Sequence, residues 1–254
     1  MLDRYWAQNA FNHLMWNVPD FHLIDALDFI DSAVVFDNNV ATGSDFVTDV
    51  SKDFEGEMCH DVIDFVRNEL GFRGCDSASY HQPKNSLIRH IVNNRRANPI
   101  SLAIVAIDIG HEVGCEFVGI GMPGHFLLRE TLDPTAFYDL YHGVDRLGID
   151  ECENLFHRLH PSAAFESRFL APTPYPDIVI RVLNNLRNAY VNAGDRVHLM
   201  RVLELREALP DMPLEEQDQL AKLLAVSGRF DDAGDRYEAM GRDAEASRIR
   251  AFLN

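Results

Sequence analysis

The polarity pattern is clearest over residues 98–129, NPISLAIVAIDIGHEVGCEFVGIGMPGHFLLR. Ile100, Leu102, Ala103, Ile104, Val105, Ala106, Ile107 and Ile109 cover nearly the whole circumference of a helix, the signature of a helix buried on all sides rather than on one stripe. Asn98 supplies an N-cap and Pro99 suits the first helical position, where its missing N–H costs nothing; Gly114 supplies a stop. Beyond Gly114 the pattern shifts to short β-rich runs at 115–120, 125–129 and 136–141, separated by a Gly-Met-Pro-Gly turn at 121–124 and a polar loop. The spacing predicts a core helix followed by three strands.

Elsewhere the pattern is mostly helical. Residues 1–37 predict two helices interrupted at Pro19, and 58–70 predicts another ending at Gly71. The stretch 38–56 is polar and acidic and predicts a loop or a weak helix, without the spacing of a calcium loop. Residues 150–160 predict a helix with His157 and His160 on one face; no third ligand accompanies them, so a solvated pair is expected rather than a zinc site. The three prolines of APTPYP, 171–176, exclude helix interior and predict a linker.

After that linker, Gly194 and Gly228 stand 34 residues apart, as do Leu186 and Leu220, and Tyr190 and Leu224. This is the period of tetratricopeptide (TPR) helix pairs, and Gly228, Phe230, Ala233 and Tyr237 fit one such unit. Two copies fall short of the roughly three needed to bury a continuous core, so they should lean on what precedes them. The expected organisation is an α+β domain over 1–170 with an N-terminal helical part, a Pro-rich linker at 171–177, and TPR-like helices over 178–254.

Composition narrows the function classes. A 46% hydrophobic content supports a substantial core. No run reaches the roughly 18 to 20 apolar residues of a membrane span, and the first residues lack a signal-peptide h-region, so a cytoplasmic protein is expected. The net charge of -17 disfavours nucleic acid and anionic membranes as partners. Arg89, His90, Arg95 and Arg96 form a local basic group, expected to be a solvated face paired with nearby acids. Four dispersed cysteines, Cys59, Cys75, Cys115 and Cys152, predict reduced thiols. No metal or cofactor is expected.

The strings NPIS, PGHFLLR and YDLYHG, with YHQPKNSLIRHIVNNRR upstream and NLRNAY downstream, resemble the SirB-type branch of the transglutaminase-like superfamily from residue 80 onward. That resemblance implies a papain-like α+β domain followed by TPR-like helices. It also implies a site in which a cysteine at the start of the central helix attacks an acyl carbon, a strand histidine takes its proton and an aspartate on the next strand orients the histidine. His125 and Asp139 occupy the histidine and aspartate positions. Pro99 occupies the nucleophile position, and a proline attacks nothing.

Ser101 is the nearest hydroxyl, but two residues along a helix turn it roughly 200° away; a first-turn structural role competes with a nucleophilic one. A hairpin turning at 131–135 would set Asp139 opposite residue 125 or 126. Asn85, Pro99, Tyr141 and His142 are cleft candidates, with Asn85 and Ser86 also suited to holding the helix start. The favoured expectation is a non-catalytic module binding an unidentified protein or peptide. The alternative is a hydrolase or acyltransferase using Ser101 or a thiol with His125 and Asp139. Regulation through DNA is disfavoured by the acidic charge.

Overall fold

The central helix, α5 (Pro99–Glu112), is buried from Ile100 to Gly110 and organises everything around it. In the computed structural model, which describes residues 9–13, 15, 21–35 and 42–253, it is preceded by α1 (Leu23–Val35), α2 (Gly43–Ser51), α3 (Cys59–Asp64) running into a π turn (Phe65–Glu69), and α4 (Ile88–Asn94). Two-residue strands β1 (Arg73–Gly74) and β2 (Arg96–Ala97) pair in parallel ahead of it. After it come β3 (Phe117–Ile120), β4 (Leu127–Glu130), β5 (Phe137–Asp139) and β6 (Val144–Leu147), an antiparallel meander in sequence order. Helix α6 (Ile149–Leu159) follows, then α7 (Tyr175–Ala193), α8 (Arg196–Glu207), α9 (Leu214–Val226), α10 (Phe230–Ala239) and α11 (Asp243–Arg250).

The sheet is covered on both faces, which is why its strands lack the apolar-polar alternation of a half-exposed sheet. Along β4 and β5, Leu128 and Tyr138 join the main core with α5, while Leu127 and Phe137 point the other way onto Cys152, Leu155 and Phe156 of α6. The main cluster is continuous from Phe11 through α5 to Leu186, Leu203 and Leu224.

Buried carboxylates tie the helical layer together. Asp108, in the middle of α5, accepts the Ile24 N–H at 2.6 Å and lies 3.6 Å from His22, so the core helix itself caps the start of α1. Asp28 on α1 accepts the Gly43 and Ser44 N–H groups at 2.6 and 3.0 Å, fixing the start of α2 where a negative charge meets the positive end of the helix. Asp31 pairs with Arg89 and accepts its backbone N–H at 2.8 Å.

Several expectations are corrected. Of the two readings of the acidic stretch, the helical one holds over Gly43–Ser51, with the Thr42 hydroxyl accepting the Asp45 N–H at 3.0 Å. A fourth strand, β6, completes the sheet. The proline run is non-helical only to Pro174, because Tyr175 and Pro176 form the first turn of α7, where a proline is tolerated. The first helix expected before Pro19 lies largely outside the described residues. No helix among the described residues is long and apolar enough to cross a membrane.

Candidate functional site

The start of α5 is built from the segment that precedes it. The Asn98 side chain accepts the Ser101 N–H at 3.0 Å and donates to the Ser86 hydroxyl at 2.7 Å, while its backbone N–H donates to the Asn85 carbonyl at 3.2 Å. Asn85, itself buried, donates from its amide to the carbonyls of Ser79 and Tyr80 at 2.5 and 3.3 Å. Asn85 and Ser86 therefore brace the helix start. Pro99 sits at the first helical position, half-buried, where the resemblance would require a thiol.

The turn at 121–124 closes with the His125 N–H donating to the Met122 carbonyl at 2.9 Å. His125 lies two residues ahead of β4 rather than on it. The observed register, Leu128 opposite Tyr138 and Arg129 opposite Phe137, brings Asp139 level with Leu127, not with residue 125 or 126. His125, from the turn just ahead of the strand, reaches Asp139, Nε2 to Oδ2 at 2.8 Å, with 5% and 1% of the two residues exposed.

His142, three residues after Asp139, completes the cluster. Its Nδ1 lies 2.8 Å from the same Oδ2 and its backbone N–H donates to Oδ1 at 3.0 Å. The two imidazoles stack with centroids 5.0 Å apart, and the His142 side chain is 52% exposed, so it forms the solvent side of the pair. Burial works to raise the Asp139 carboxyl, but the hydrogen bond and charge of His125 and the two contacts from His142 outweigh it and hold the group below the usual aspartate range.

With Nε2–H donating to the carboxylate, the basic lone pair of His125 resides on Nδ1, which makes no hydrogen bond among the described residues. The geometry thus keeps a carboxylate-oriented histidine base. Ser101 is fully buried and its hydroxyl has no hydrogen-bond partner.

The four cysteines are free thiols. Burial and a hydrogen bond with Cys115 push Cys59 up to about 12, burial pushes Cys152 to about 12, and burial also raises Cys75. These three are the reverse of activated thiols. Cys75 is linked to the cluster's flank by Tyr141, whose hydroxyl donates to the Cys75 carbonyl at 2.9 Å and lies 4.0 Å from its sulfur, while Cys152 is close enough to Asp139 to feel its charge.

One arrangement was not legible in the spacing. A ring nitrogen of His125, a carboxylate oxygen of Asp139 and a ring nitrogen of His142 lie within 4.8 Å of one another, a two-histidine, one-carboxylate set able to close on a divalent cation. Doing so would remove both protons now directed at Oδ2, so metal-bound and hydrogen-bonded forms exclude one another. His157 and His160 are not such a set: His157 lies 3.5 Å from Glu153, and His160 contacts the Pro123 carbonyl at 3.2 Å, bracing the turn before His125.

A buried histidine just ahead of β4, paired with an aspartate at the end of β5 in a fold organised around a buried central helix, fits the transglutaminase-like class. The chain belongs to the transglutaminase-like superfamily, whose description it matches over residues 42–184. It is similar to a UPF0162 protein of Xylella fastidiosa (strain 9a5c), 31% identical over 177 residues, covering 65% of this chain and 60% of that protein. It is also similar to a UPF0162 protein of Pseudomonas aeruginosa, 30% identical over 54% of this chain and 52% of that one, and to F-box only protein 21 of Mus musculus, 27% identical over 41% of this chain and 18% of that one. The matches to the bacterial relatives thus span a little over half of their length. No solved structure matches.

Proposed function

We propose that this is a SirB-type, non-catalytic member of the superfamily: a cytoplasmic module that binds a protein or peptide through the cleft beside His125 and through TPR-like C-terminal helices. The observation that carries the reading is Pro99 at the helix start, where the resemblance calls for a thiol, together with an intact His125–Asp139 pair. Catalysis by acyl transfer needs a nucleophile within hydrogen-bond reach of the base. Ser101, with an enclosed and unbonded hydroxyl, and the raised thiols of Cys59, Cys75 and Cys152 do not supply one. The helix pairs α7–α8 and α9–α10, with Gly194 and Gly228 after their first members, support the TPR-like reading.

The test is a burst experiment with activated esters and thioesters on the full chain. The expected result is slow turnover without a burst, unchanged in His125→Ala. A stoichiometric acyl-enzyme burst that His125→Ala abolishes would overturn the proposal in favour of a hydrolase or acyltransferase.

A further inference from the structure

Arg181 lies on α7 one turn beyond the fully buried Ile178 and beside the buried Val182, so a guanidinium is carried on the packed face of that helix. Its head group is held against the turn that carries His125. One terminal nitrogen, Nη2, donates to the His125 carbonyl at 3.4 Å, and the guanidinium carbon stands 5.2 Å from the centre of the Phe126 ring. The other, Nη1, fills the space where residue 121 has no side chain: a Cβ there would lie 2.3 Å from it. Thr173, whose hydroxyl accepts the Gly121 N–H at 2.8 Å, borders the same space. Tyr80 approaches from the other side, with its ring 6.0 Å from that of Tyr141 and its hydroxyl close enough to interact electrostatically with Arg181.

What the arrangement lacks is an acid. No carboxylate among the described residues pairs with Arg181, although the chain carries 40 Asp and Glu against 23 Lys and Arg. Many other arginines do find acids, Arg89 with Asp31, Arg229 with Glu204, Arg236 with Glu207 and Arg242 with Asp218; among those that do not, Arg95 lies over the Phe46 and Phe72 rings and Arg129 donates to the Leu170 carbonyl, whereas Arg181 lies against the turn that carries His125. Arginine stays charged under all ordinary conditions, so a partly desolvated guanidinium with two weak internal contacts is an unsatisfied charge maintained beside the site. Burial pulls its pKa down, consistent with that lack of compensation.

We propose that Arg181 receives the carboxylate of a ligand bound in the cleft next to His125. The planar fork of a guanidinium matches a carboxylate with two parallel hydrogen bonds. A single fixed cation neutralises a monoanion, whereas a phosphate dianion would leave a second charge uncompensated in an acidic protein. The carboxylate belongs either to the C-terminus of a peptide or to an Asp or Glu side chain. The inference rests on the cleft being a ligand site and holds whether or not that site is catalytic.

The experiment is an NMR titration of the full chain, following the Arg181 Nε–H signal, assigned by its loss in Arg181→Lys. The probes are N-acetylglycine for a C-terminus, N-acetylglutamate N-methylamide for a side chain, N-acetylglycinamide as the uncharged control, and inorganic phosphate. One of the two carboxylates is expected to shift the Arg181 signal saturably, the amide to leave it in place, and whichever acid binds tighter identifies the source. Arg181→Gln, followed through the backbone amide signals of the 121–126 turn that shift with Arg181 in wild type, should weaken binding at least about tenfold, as loss of a charge-assisted pair does. Gly121→Ala, which displaces the guanidinium without removing it, should weaken binding in the same sense and controls for a folding defect in Arg181→Gln.

Equal responses to acid and amide, no saturable shift at tens of millimolar, or preference for phosphate would overturn the proposal. An acyl-enzyme burst would overturn only the non-catalytic reading and leave this one standing.

Discussion

Asp139 concentrates more of the site than any other side chain. One of its oxygens takes both imidazoles and the other takes the His142 N–H, all with 1% of the residue exposed. Replacing it with Asn substitutes an NH2 donor for one of those acceptors and sets it against ring N–H groups. Asp139→Asn should therefore cost about 2 to 3 kcal/mol at neutral pH by urea unfolding, the scale of a buried hydrogen bond to a charged group.

The same carboxylate sets a pH dependence. Its folded pKa lies below the unfolded value of about 3.9. It therefore adds stability that is fully present above that value and is lost as pH falls through the folded one. Wild type should lose more stability than Asp139→Asn between pH 5 and the acid limit; parallel curves would show that Asp139 is not held by its partners.

At the scale of elements, α5 depends on its cap and on burial along its whole length. Asn98→Ala removes the acceptor for the Ser101 N–H and the partner of Ser86, and should cost about 1 to 2 kcal/mol in thermal or urea denaturation. Ile104 is fully buried in the middle of the helix, and Ile104→Ala should cost about 2 to 5 kcal/mol, with the upper end expected where packing on every side prevents collapse of the cavity. If Ile104→Ala proved milder than Asn98→Ala, α5 would not be the core element that its burial indicates.

For the molecule as a whole, the apolar cluster runs without a break from the first described helical residues through α5 into α7, α8 and α9. The C-terminal helices and the α+β part therefore share buried surface, and a single cooperative unfolding transition is expected by both near- and far-ultraviolet circular dichroism. Leu183→Ala, at a fully packed position of α7, should lower the midpoint of that one transition. Two separated transitions, only one of them shifted by Leu183→Ala, would show that the C-terminal helices fold independently.

Much of this was legible from local pattern alone. The Asn98 cap, the all-round apolar helix and the strands after Gly114 follow from short-range spacing, because capping and periodicity are properties of neighbouring residues, whereas the pairing of His125 with Asp139 was implied by the family resemblance. The strand register was missed by one to two residues because it depends on how tightly the 131–135 turn closes.

Other features required distant segments to meet. Asp108 capping α1 and Asp28 capping α2 look, in sequence, like an isolated acid in an apolar helix and one more acid in an acidic stretch. Arg181 could have been suspected as a charge one turn from Ile178, but its lack of an acid partner emerges only once α7 is laid against the turn of residues 121–124. His142 likewise joins His125 only because Asp139 turns both rings onto one oxygen. Local order was written in neighbouring residues; the charges of the site were arranged by chain closure, since electrostatic partners are chosen by distance in space rather than along the chain.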